Sequence, residues 1–247
     1  MIKYHKIISV SIGLIFVIVL QKFATPEPIF RFLLPAFIIF AGAVTLYNRW
    51  YLMQKQKYNI WILVRPGLLL AAGFGIFLVI PNETLRGLFL LLSVFVITFF
   101  EIVLGNFAEN ILLNETLFIA FGLFFGLSAL YQYAPIYGTL CVAAVFVFSF
   151  LLSRSFYEFV PKGDDAKIIG SLALSMFCSE LFWALNFLPL HFSVLALILF
   201  NFFYFTLILN YYHLFHILNL KKLQFHLFLI VVCSALVVAA TPWKILT

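Results

Sequence analysis

Glu180 is the only acid in a long apolar stretch, residues 166–190. A carboxyl group held away from water can take up and release a proton or hold a polar substrate. An ionisable side chain inside an apolar helix is therefore a functional hypothesis by default. Ser171, Ser175, Ser179, Trp183 and Asn186 recur at helical spacing in the same stretch and make one polar face. Glu180 stands about 100° from Ser179, at the edge of that face. In the next apolar stretch, counted from the turn at 188–191, Asn201 and Tyr204 reach about the depth of Glu180. The expectation is a polar site near the bilayer midplane, with Glu180 bonded to Asn201 or Tyr204 and with Trp183 and Asn186 beside it. The plainer role for such groups is interhelical packing, at about 0.6 kcal/mol per hydrogen bond.

Arg65 and Glu101 also fall inside apolar blocks. A charge near the bilayer centre costs at least about 2.5 kcal/mol even on the lenient insertion scale. The two lie at similar depth in consecutive antiparallel segments, so an Arg65–Glu101 ion pair is expected to offset much of that cost, in a structural role. His213 and His216 have the i, i+3 spacing of a metal pair, but no acid-rich motif accompanies them. Together with nearby Tyr211, Tyr212, Lys221 and Lys222 they read as a membrane-surface belt. No metal site and no cofactor is expected.

The elements that must carry these groups are membrane spans. Apolar residues make up 65% of the chain and charged residues 10%, which leaves room for one integral membrane domain over 1–247 and for no soluble domain. A span needs about 20 apolar residues, and about nine segments qualify: 7–24, 29–47, 59–80, 84–105, 115–132, 136–156, 166–190, 192–215 and 224–241. The fold class is thus an all-α polytopic bundle. Prolines and glycines punctuate the joints, as at Pro81, Pro135, Pro161 and Pro189.

Lys and Arg set the orientation. Lys3, Lys6, Arg49, Lys55, Lys57, Arg154, Lys162, Lys167, Lys221 and Lys222 fall on one side, and Lys22, Arg31, Arg86 and Lys244 on the other. That bias predicts a cytoplasmic N-terminus. It also makes the net charge of +6 topogenic rather than a nucleic-acid signal. The basic start MIKYHK and the apolar run after it resemble a signal peptide without a small-residue cleavage site, and read as an uncleaved first span. The tetrapeptide NETL at 82–85 and 114–117 reads as two helix starts, Asn capping and Glu facing the dipole. Pro66 is placed to kink its segment. Gly122 and Gly126 make a GxxxG close-packing motif. The 33 phenylalanines read as lipid-facing bulk, and Cys141, Cys178 and Cys233 as small buried hydrophobes. The joint at 157–167, with Glu158, Asp164, Asp165, Lys162 and Lys167, reads as a solvated cytoplasmic turn.

Residues 180–189 (ELFWALNFLP), with the closing ATPW at 240–243, resemble an uncharacterised family of small multi-pass bacterial membrane proteins. The likeness covers little more than the last quarter of the chain. It implies a bacterial plasma membrane, draws interest to Glu180, Trp183 and the Pro189 turn, and implies no activity. The expected function is transport, through a midplane polar site around Glu180. The alternative is an embedded assembly or scaffold subunit without catalysis, and the third reading is a lipid-modifying enzyme using Glu101, Glu109 and the cytoplasmic-face histidines. Expected partners are membrane lipids and either another membrane protein or a further copy of the chain.

Overall fold

The computed structural model describes residues 60–80, 109–133, 137–158, 163–214 and 220–240, with isolated residues 11, 50, 85, 88, 89, 92 and 96. Every regular element among the described residues is helical. A 3-10 turn, Ile60–Leu63, leads into α1 (Arg65–Val79); α2 (Glu109–Tyr133), α3 (Gly138–Tyr157), α4 (Asp164–Leu185), α5 (Phe192–Leu214) and α6 (Leu220–Ala240) follow. Four of them, Leu112–Tyr133, Gly138–Tyr157, Asp164–Leu185 and Phe192–Leu214, are long and apolar enough to cross a membrane. The chain divides into two units, Met1–Glu115 and Thr116–Thr247, and the division falls within α2. The expected spans over 7–24, 29–47 and 84–105 lie outside the described residues, apart from isolated positions.

In the first unit, Val64 passes the chain from the 3-10 turn into α1. Pro66 occupies the first turn of α1, where its missing N–H has no helical partner to lose, so it begins the helix rather than kinking it. The second NETL, at 114–117, is not a helix start. α2 begins at Glu109, and Glu115 lies in its second turn. The helix extends upstream because 109–113 carries no breaker and Glu115 is held from outside the helix, by Arg65.

The second unit is a run of antiparallel neighbours, α3 on α4, α4 on α5 and α5 on α6. Asp164 and Asp165 open α4 and Arg154 closes α3, each with the charge that the helix dipole favours. Buried on α3 are Cys141, Val145, Ser149 and Leu152, and on α4 Ser171, Leu174, Ser175, Cys178 and Phe182, the last meeting Tyr131 of α2 edge-on at 5.7 Å. Small Ser and Cys side chains let two backbones approach closely where lipid provides no hydrophobic drive.

α5 is the central helix of this unit. Leu195, Leu199, Phe203 and Leu207, at i, i+4, i+8 and i+12, are buried, and so are Val194, Ala196, Ile198 and Ile208 around the rest of its circumference. Phe rings join it to α2: Phe121 to Phe200 at 5.7 Å, Phe124 to Phe203 at 5.4 Å and Phe125 to Phe192 at 5.2 Å, all edge-on. This corrects the reading of phenylalanine as lipid-facing bulk only in part, since Phe177, Phe187, Phe225 and Phe228 are exposed. Phe124, Phe182 and Phe203 are fully buried, and edge-to-face pairs contribute about 0.5–1.5 kcal/mol each beyond area burial. The glycine-rich face of α2 is likewise turned inward, with Gly122, Ser128 and Ala129 buried.

Two polar clips fix the ends. Gln132 donates from Nε2 to the Leu190 carbonyl at 2.6 Å and accepts the Phe192 N–H at 2.9 Å, so the end of α2 caps the start of α5. At the opposite end of α5, the Tyr157 hydroxyl donates to the Leu207 carbonyl at 3.3 Å and Asn210 to the Gly170 carbonyl at 3.1 Å.

Candidate functional site

The packing face of α4 decides where Glu180 points. Ser171, Leu174, Ser175, Cys178, Phe182 and Leu185 face inward. Glu180 follows Cys178 and precedes Phe182 by two residues, hence stands about 200° from each, on the far side of the helix. It is exposed, and among the described residues it has no hydrogen bond or ion pair. Trp183, 57% exposed, lies one turn further along the same side, and its ring meets Phe187 edge-on at 4.9 Å. Met176, 53% exposed, lies one turn before.

Asn201 does come to the level of Glu180, since Asn210 on Gly170 and the Phe177–Phe202 ring contact at 6.1 Å set the register of α4 against α5. It turns the other way. Asn201 Nδ2 donates to Ser234 Oγ at 3.2 Å, and the Tyr204 hydroxyl bonds His226 Nδ1 at 3.1 Å, so both groups serve the α5–α6 seam. The partners of both residues differ from the expected Glu180. Ser171 and Ser175 sit in the α3–α4 interface as small residues, and do not form the wall of a polar site. Asn186 ends α4, donating from Nδ2 to the Phe182 carbonyl at 2.7 Å; the helix thus stops at Leu185, short of the expected 190. Glu180 is therefore five residues, about 7.5 Å, from the last helical residue, nearer that end than the middle. The five residues expected to form a single site are divided between the outer face of α4, its C-terminal end and the α5–α6 seam.

Arg65 is a buried partner in an ion pair, with Glu115: Nε to Oε2 is 2.8 Å and both side chains are fully buried. Its Nη2 donates to the Leu112 carbonyl at 3.1 Å. Glu101, the expected partner, lies outside the described residues. Glu115 was hidden in the sequence by its place in NETL, where an Asn before it and an apolar run after it imitate a cap.

A second charged group was read as a solvated turn. Arg154 and Lys167 are only 4% and 6% exposed. Arg154 reaches Glu158 from Nη1 and Asp164 Oδ1 from Nη2 at 3.2 Å, while Lys167 lies 3.9 Å from Glu158 Oε1 and donates to the Glu158 carbonyl at 3.3 Å. The signal was present in the i, i+4 spacing of Arg154 and Glu158 and the i, i+3 spacing of Asp164 and Lys167. Two cations and two acids balance one another, and the group ties α3 to α4.

Among the described residues no cluster of three His, Cys, Asp or Glu side chains could hold a metal ion. His213 is exposed, and His216 lies outside the described residues. No known protein family matches the chain, and neither a curated protein nor a solved structure is similar to it, so its standing as a helical membrane protein comes from its own four span-length apolar helices.

Proposed function

We propose that the chain is an embedded assembly or scaffold subunit of the cell membrane, a single domain of about nine spans with a cytoplasmic N-terminus. In this role it docks another membrane protein through the outer face of α4. The observation that carries this is Glu180, exposed on a helix otherwise fit for lipid. A lone ionisable group facing hydrocarbon is unfavourable, and such residues in membrane proteins pair or face protein interiors. A transport-type role needs Glu180, Asn201 and Tyr204 along one path. Their division between two faces favours assembly instead.

The test is purification of the full-length chain from its native membrane in mild detergent, with mass spectrometry of bound proteins and lipids. A stoichiometric protein partner is expected, and Glu180→Leu should remove it while leaving the helical content and melting of the chain unchanged. A chain that purifies singly, with lipids alone, overturns the reading.

A further inference from the structure

Resting on that docking reading, we infer that the occupant of the α4 outer face is a transmembrane helix of another protein that brings a Lys or Arg to Glu180. The face has the form of a helix-binding seam. Ile169, Ala173, Met176, Glu180, Trp183 and Phe187 follow at steps of four, three, four, three and four residues, and all are exposed. That is the spacing by which one helix presents a continuous stripe to another. From Ile169 to Trp183 the stripe covers about 21 Å of helix at 1.5 Å per residue, with Phe187 just past the helix end. Ala173 admits close approach, Met176 is adaptable, and Trp183 is a large anchor.

Glu180 specifies the chemistry. The nearer end of α4 is the C-terminal one, about 7.5 Å away, yet a helical side chain leans toward the N-terminus. From Glu180 that direction leads along about 24 Å of helix to Asp164. Its stem is also shorter than those of the Lys and Arg that snorkel. The carboxyl group therefore lies within the span, where a Lys or Arg brought to it would be its best partner. A second copy does not meet the need. Two copies threaded in the same sense keep Glu180 at one depth, and a two-fold contact through this stripe brings two acids together and no cation.

The test places a photo-reactive phenylalanine analogue at Trp183 in the full-length chain and irradiates the native membrane. The expected adduct is a transmembrane peptide of another protein that contains Lys or Arg. Its yield should fall about tenfold or more with Glu180→Gln. Glu180→Lys should abolish it, and exchange of the basic residue for Glu in the captured helix should restore it. If Glu180→Lys fails to fold, the Glu180→Gln yield still decides. An adduct with a second copy, or with a helix lacking a basic residue, overturns this inference and leaves the docking reading standing. Adducts with lipid only, or with residues of the same chain, overturn both.

Discussion

Replacing Glu115 with Leu removes the carboxylate from a guanidinium that has no exposed surface. The Nε–Oε2 distance of 2.8 Å puts the charge centres about 4 Å apart, worth about 4 kcal/mol at an effective dielectric of about 20. Buried pairs that lose one partner fall by about 3–5 kcal/mol, because the survivor stays desolvated. Glu115→Leu should therefore destabilise the fold by about 3–5 kcal/mol. Glu115→Gln keeps an acceptor for Nε but loses the charge, which carries roughly half of such a bond, and should cost about 2 kcal/mol. Arg65→Leu with Glu115→Leu removes this pair whole and should be less destabilised than Glu115→Leu alone. The assay is equilibrium unfolding of the full-length chain in mixed micelles with a rising dodecyl sulfate fraction, followed by far-ultraviolet circular dichroism. A Glu115→Leu chain within about 1 kcal/mol of native, or a double leucine variant as unstable as the single, refutes the reasoning.

Gln132→Leu removes both bonds of the α2–α5 clip and should cost about 1–2 kcal/mol, read as hydrogen exchange at the Phe192 amide faster by about tenfold. A double-mutant cycle of Asn201→Ala and Ser234→Ala should show coupling of about 0.6 kcal/mol; zero coupling would remove that bond from the α5–α6 seam. Ser175→Leu overfills the α3–α4 interface and should lower stability by about 1–3 kcal/mol, whereas Ser175→Ala should be nearly silent. Equal effects of the two would show that the hydroxyl, not the size, matters at that position.

The lengths of α3 and α5 are legible because the bilayer sets them and Gly and Pro mark the joints, whereas α2 starts earlier and α4 stops sooner than expected. The segment 192–215 became Phe192–Leu214 and 136–156 became Gly138–Tyr157. The depth of Asn201 relative to Glu180 followed from the same arithmetic of 1.5 Å per residue. Which way each side chain faces was not legible. α5 is apolar all round, so no periodicity in its composition distinguishes the side that meets α4 from the side that meets α6. In α4 the serines misled, since in water a serine row marks the polar side, while between close helices it marks the narrow one. Ser171 and Ser175 took the inside and left Glu180 outside. The Arg154–Glu158–Asp164–Lys167 group was misjudged for a related reason. Asp164 is exposed as a turn residue should be, but tertiary contacts bury Arg154 and Lys167, and only the i, i+4 and i, i+3 spacings hinted that the four pair.

The Gln132 clip also has a meaning in time. Its partners, the Leu190 carbonyl and the Phe192 amide, stand 58 and 60 residues further along the chain. At a synthesis rate of about 5–20 residues per second, the side chain exists for about 3–12 s before anything it will bind has been made. In that interval the α3–α4 hairpin is synthesised. The clip can therefore close only after that hairpin has been made.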